Sequence, residues 1–191
     1  DVMYSNGPTG YVTSSNRVDA ESVLAFRFIP PGYPKTIAEN RNANVRYWSI
    51  CVGDAKKTIT PITIPDTKAK ESEDGYVNFW VVDQSNLKMK ELKEKAEAMK
   101  INLIVWDSKA YGDALMLFYR QMHIKNDYEY SVRNIPYYPP LGANGLPDTS
   151  KPIKPENMAH VTLGEHGPSG VRLSVDKVLS SEFGYKDMRW N

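Results

Sequence analysis

Along the 191-residue chain, apolar and polar residues alternate in short runs broken by turn residues. A two-residue period places successive side chains on opposite faces of a strand. The run 23–29 alternates cleanly, with Leu24, Phe26 and Phe28 on one face and Val23, Ala25, Arg27 and Ile29 on the other. Pro30-Pro31-Gly32 ends it. The run 45–52 sets Val45, Tyr47, Ser49 and Cys51 against Arg46, Trp48, Ile50 and Val52. Residues 59–64 predict a short strand, and Pro61 inside it predicts an edge position because proline cannot donate to a ladder. Asp74-Gly75 is a turn signal that feeds a strand over 76–82. Further strands are expected over 101–106 and 114–122.

The period changes once. A run rich in lysine and glutamate predicts a helix over 87–99, capped by Ser85 or Asn86 and carrying a Glu91–Lys95 pair. Its mostly polar face reads as a surface insertion over a sheet. The first 20 residues, with Asn6, Gly7, Pro8, Gly10 and Ser14-Ser15-Asn16, read as turns and loop. Six prolines between 136 and 155 read as a wrapping loop or an arm reaching a neighbour. Residues 160–165 and 171–175 read as a final strand pair, followed by a short helix over 176–182. The expectation is a mainly β fold, a β-sandwich or jelly roll with one inserted surface helix at about 87–99. It comprises a domain over 1–140 and, over 141–191, a proline-rich arm and strand pair packed on the same body.

Composition narrows the function classes. Lys and Arg number 24 against 23 Asp and Glu, so no global field draws in nucleic acid or an anionic membrane. No apolar stretch approaches the ~20 residues of a membrane helix. The single cysteine, Cys51, forms no internal disulfide and reads as a small buried hydrophobe. The chain starts at Asp1, consistent with removal of a signal segment and an extracytoplasmic setting.

Candidate chemistry is sparse. The chain holds no Gly-x-Ser-x-Gly, no phosphate-cradling glycine loop and no His-Glu-x-x-His. The three histidines, His123, His160 and His166, define a weak candidate metal site, against the reading of separate histidines near turns. No cofactor is otherwise expected. Asp66, Glu71, Glu73, Asp74 and Asp83 lack the calcium-loop spacing and read as a solvated loop. Arg46 and Arg120 fall within apolar runs, where a guanidinium must find acceptors or solvent. Two readings stay open: structural ion pairs with Asp54, Asp66 or Asp107, or an anion-binding cleft lined by Trp48, Trp106 and Tyr119. Tyr137-Tyr138-Pro139-Pro140 is a candidate partner-binding segment, or part of a packed loop.

Several segments carry a resemblance in the same order. Val45-Arg46-Tyr47-Trp48-Ser49 is followed by Asp66, Asp74-Gly75-Tyr76-Val77, Asn102-Leu103-Ile104-Val105-Trp106 and Leu115 to Met122. Together they resemble uncharacterised exported bacterial proteins with an R-Y-W-S strand and an L-x-x-R-x-M strand. These are similar to a jelly-roll-like envelope domain of unknown function. The resemblance spans roughly residues 19–140 and departs from the pattern in the lysine-rich helix. It implies an envelope location and a β-sandwich, and no catalytic residue. The expected function is a non-enzymatic binding module or accessory subunit, with a protein partner or a second copy. The alternative is an envelope small-molecule binder or enzyme with an Arg/Trp-lined cleft.

Overall fold

The structure is a computed structural model and describes residues 9–36, 38–39, 43–57, 59–135 and 158–189. Among the described residues, eight strands form two four-stranded sheets, and four α-helices accompany them: α1 (Met89–Ala98), α2 (Ser108–Tyr111), α3 (Ala159–Thr162) and α4 (Val175–Leu179). Sheet 1 contains β1 (Thr9–Arg17), β3 (Tyr47–Asp54), β4 (Ile62–Pro65) and β7 (Ala114–Met122) in the order β1-β7-β3-β4. Sheet 2 contains β2 (Ser22–Phe28), β5 (Val77–Asp83), β6 (Asn102–Trp106) and β8 (Ser169–Ser174) in the order β6-β5-β2-β8.

The two-residue period explains why these sheets stack. Leu24, Phe26, Phe28, Phe79 and Val81 of sheet 2 meet Trp48, Ile50, Val52, Leu115 and Tyr119 of sheet 1 in one apolar layer. Rings lock this layer: Phe26 stacks on Phe79 at 4.9 Å, and Phe28 lies 4.7 Å from Tyr119 and 5.5 Å from Trp48. The mainly β sandwich expected from the alternation is the fold observed.

A second apolar layer lies on the outer face of sheet 2. There Val23, Ala25, Trp80 and Val82 pack against Leu92 and Ala96 of α1 (Met89–Ala98) and Val175 and Val178 of α4 (Val175–Leu179). This corrects the reading of α1 as a solvated insertion. Strands β5 and β6 run parallel, and a parallel pair cannot be joined by a hairpin, so α1 is the crossover between them. Its Leu92 and Ala96, one turn apart, form the buried stripe on an otherwise charged helix. Asn86 accepts from the Lys88 amide at its start. Lys95 does not pair with Glu91; it donates to Ser180 O at 2.6 Å and so ties α1 to the end of α4.

Three further expectations are corrected. Residues 9–17 form β1, paired with β7 over all nine positions from Thr9↔Met122 to Arg17↔Ala114. Its sequence hid this because an edge strand with one solvated face needs few apolar residues; Val12 alone packs against the core. Residues 160–165 form no strand. Ala159 and Leu163 are both buried and four apart, a helical spacing, and α3 (Ala159–Thr162) runs into a 3-10 turn at Gly164–His166. Gly167 follows because a Cβ there would lie 2.3 Å from Ala159 O. The expected partner of residues 171–175 is therefore absent, and β8 pairs with β2 instead, which places it in sheet 2. Finally, the strand expected over 45–52 runs over Tyr47–Asp54, and that expected over 59–64 runs over Ile62–Pro65 at the predicted sheet edge.

Candidate functional site

The two sheets differ in what covers them. Among the described residues, α1, α4 and the 3-10 turn Tyr185–Met188 lie on the outer face of sheet 2, and no helix is so placed on sheet 1. The outward side chains of sheet 1 follow from register. Tyr11 stands beside Arg120, Thr13 beside Phe118, and Tyr47 beside Met122. Ser49, Cys51, Gly53 and Met116 are buried at the centre of this face, while Tyr11, Tyr47, Phe118, Arg120 and Met122 around them are half-exposed. Gly53 is required at that centre: a Cβ would lie 2.9 Å from Ile59 O and 3.2 Å from the Phe118 ring.

Arg120 is the charged residue among these half-exposed side chains; Arg17, at the far end of β1, pairs with Asp113. Its guanidinium donates to Met122 Sδ at 2.9 Å and lies 5.1 Å from the Tyr47 ring centroid. Its Nε is buried with no hydrogen-bond partner, and no carboxylate pairs with it among the described residues. The ion pairs considered from sequence are thus not formed by Arg120: Asp54 accepts from the Lys56 and Lys57 amides, Asp66 from the Trp48 amide, and Asp107 from Ala110.

The Arg/Trp cleft is not assembled. Trp48, Trp106 and Tyr119 are each at most 3% exposed, inside the layer between the sheets. Trp106 donates from Nε1 to Gly112 O at 2.8 Å, and Gln121 donates to the Tyr119 hydroxyl at 2.9 Å. Burial raises the pKa of that hydroxyl, so it stays protonated. Arg120 follows Tyr119 in the strand and so points to the opposite face of sheet 1. Arg46 precedes β3 and is exposed, its amide bonded to Met122 O. Tyr119 does line one small opening, a slot of about 120 Å³ where β1 and β8 leave a seam between the sheets. Val12, Leu24, Phe26, Ile50 and Leu117 supply its apolar walls.

The three histidines stand apart. His123 is exposed at the end of β7 with φ 49°, His160 lies on α3, and His166 on the following turn. His166 stacks on Tyr130 at 4.0 Å with Nδ1 3.1 Å from Ile29 O, and burial lowers its pKa. No group of three His, Cys, Asp or Glu side chains able to hold a metal occurs among the described residues. The acids are dispersed too: Asp66 is buried under β3, Glu73 pairs with Lys100 at 3.4 Å, and Asp83 accepts from Ser85. Tyr137, Tyr138, Pro139 and Pro140 lie outside the described residues.

Sequence reasoning missed the densest polar cluster, which is centred on Arg27. This arginine is 7% exposed on the outer face of sheet 2, paired with Asp74 at 2.5 Å and set 3.7 Å above the Tyr76 ring and 5.2 Å from Tyr185. Ser72 bridges Asp74 at 2.6 Å and Asn78 at 2.7 Å. The Tyr76 hydroxyl donates to Glu165, and Arg189 donates to Gly164 O and Glu165 O. Burial acts to raise the Asp74 carboxyl, but the hydrogen bonds from Ser72 and Arg27 outweigh it and hold it below the ordinary carboxylate value. The cluster joins four distant stretches: β2, the turn leading into β5, the 3-10 turn Gly164–His166, and the C-terminal turn. The one signal was a lone arginine in the alternating run 23–29.

No protein-family model and no curated protein matches the chain. Among solved structures, an uncharacterised protein from Burkholderia cenocepacia is similar over 64% of this chain, at 12% identity and a TM-score of 0.39. The VPA0106 protein from Vibrio parahaemolyticus is similar over 63% of it, also at 12% identity and a TM-score of 0.39. The aligned parts span 28% and 27% of those two chains, so this chain matches about a quarter of their length. No helix among the described residues is long and apolar enough to cross a membrane.

Proposed function

We propose that this chain is a non-enzymatic binding module, an accessory subunit that docks a protein partner or a second copy on the outer face of sheet 1. The observation that carries this is the asymmetry of cover: helices pack on the centre of the outer face of sheet 2, while among the described residues no helix covers sheet 1, and Tyr11, Tyr47, Phe118 and Met122 stay half-exposed around Arg120. Aromatic, methionine and arginine side chains are the types enriched where proteins meet. A carboxylate from the partner would give the Arg120 guanidinium a charged acceptor, which it lacks among the described residues. An extracytoplasmic setting is part of the proposal, supported by the resemblance to exported envelope proteins.

Light scattering after size exclusion tests the reading, on the full chain alone and in complexes isolated from the native source. A self-associated or partner-bound species that dissociates on Phe118→Glu or Arg120→Glu is expected. A monomer under both conditions overturns it. A second reading, a small-molecule binder, is supported by the apolar slot beside Tyr119. Leu117→Trp would fill that slot; an apolar ligand that binds the variant as well as the parent would count against it.

A further inference from the structure

The sheet orders put β1 and β8 at one side of the sandwich and β4 and β6 at the other. At the β4–β6 side, strand edges and α1 enclose a second opening, a groove of about 360 Å³. Ligand sites commonly have volumes of roughly 300–1,000 Å³. This groove lies at the strand edges rather than over the centre of the face of sheet 1, which it meets only at Thr63, and none of its lysines belongs to the docking proposal.

Its walls are of two kinds. Ile64, Ala96, Ile101 and Leu103 form an apolar side. Lys68, Lys70 and Lys93 form a basic rim, with Glu97 as the one carboxylate among the lining residues. Lys70 is paired with Glu97. The ammonium groups of Lys68 and Lys93 have no hydrogen-bond or carboxylate partner among the described residues. The rim is also held in place. Asn102 Oδ1 accepts from the Lys70 amide at 2.8 Å, and its Nδ2 donates to Lys70 O at 2.9 Å and to Asn78 O at 3.0 Å. Asn102 is itself buried, so one side chain fixes the basic loop against the first residue of β6.

We infer that this groove binds a small organic anion, a phosphate or carboxylate head on an apolar body. The head meets two uncommitted ammonium groups, which act as point charges suited to either oxyanion. The body lies against the apolar wall and leaves water, which adds a contribution that a bare ion cannot make. Glu97 competes for Lys70, so its neutralisation strengthens binding.

The experiment is an amide NMR titration of the labelled full chain at low ionic strength, with phenyl phosphate, benzoate and inorganic phosphate as probes. Saturable shifts confined to amides around Lys70, Ala96 and Leu103 are expected, with at least one aryl anion binding more tightly than inorganic phosphate. The aryl pair tells which head is preferred. The double variant Lys68→Ala, Lys93→Ala should lose roughly tenfold or more in affinity, since charge-assisted contacts are the strong ones. Glu97→Gln should bind more tightly. Both substituted lysines are exposed, so an unchanged spectrum elsewhere verifies the fold. Shifts spread over lysines across the surface, failure of both aryl anions to saturate, or full affinity in the double variant would each overturn the assignment.

Discussion

Sheets 1 and 2 have the same number of strands and share one core, yet they are built for different surroundings. In sheet 2, β2 and β5 are buried at all seven positions each, because one face meets sheet 1 and the other meets helices. In sheet 1, β7 stays half-buried at five of its nine positions, and β1 is exposed at four. A strand covered twice must be apolar or find partners for most of its polar groups, and the two polar residues of β2 and β5 on the helical side, Arg27 and Asn78, are held in the polar cluster with Ser72 and Asp74, although Arg27 Nε and Asn78 Oδ1 stay unpartnered among the described residues. A strand covered once is free to carry chemistry on its other face. On the function proposed above, the face of sheet 1 is where a partner docks, while the outer face of sheet 2 holds a second buried apolar layer.

The largest effect should come from the doubly covered side. Trp80→Ala empties a fully buried site between β5 and the helical layer, where the indole lies 5.6 Å from Phe183. It should cost about 3–5 kcal/mol in urea unfolding; a cost near 1 kcal/mol would mean that the helices are a loose cover. Next is Arg27→Met, which keeps the packing volume but removes the ion pair and the contacts with the Tyr76 and Tyr185 rings. About 2 kcal/mol is expected, because Ser72 and solvent still reach Asp74. A stabilised Arg27→Met protein would show that the buried charge is retained for a reason other than stability.

On sheet 1, Phe118→Ser should lower the chain's own stability by only about 1 kcal/mol, since half-exposed side chains make incomplete contacts. The same variant should lose self-association or partner binding, and a loss as large as that of Trp80→Ala would erase the distinction between the faces. The smallest effect concerns pH. Asp74 has a depressed pKa in the folded protein, so its stabilising contribution is complete above the ordinary value of 3.8 and is lost as the pH falls through the lower folded value. Its side chain is 42% exposed, which screens the pair. Asp74→Asn should lower the urea midpoint slightly near neutrality and flatten its acid limb below about pH 4, so that variant and parent converge in acid. An unchanged acid limb would place the acid sensitivity elsewhere.

Elements with strong internal patterns were legible before the structure. The run 23–29 encodes β2 because its two apolar faces are both complete, and 114–122 encodes β7 residue for residue. The edge position of β4 was expected from Pro61; the observed strand begins one residue later, and the proline it contains is Pro65, whose missing amide suits an edge. Segment 9–17 was not legible, because its hydrogen bonds come from β7, about a hundred residues away, and its side chains are those of a loop. Segment 160–165 misled because Val161, apolar by type, is half-exposed, whereas Ala159 and Leu163 anchor it. The candidate cleft failed for the same reason: Trp48, Trp106 and Tyr119 look like ligand platforms in isolation, and only packing shows that they fill the space between two sheets.

The sequence by itself determined that this chain is a β-sandwich of aromatic-rich strands with one charged helix, since periodicity and turn residues act within a few positions of one another. Tertiary structure alone decided that the helix joins a parallel pair, that Arg27 meets Asp74 and Tyr185, and that, among the described residues, helices cover the outer face of one sheet and not of the other. Those outcomes depend on contacts between residues remote in the chain, and burial is a property of what arrives from elsewhere rather than of the residue buried.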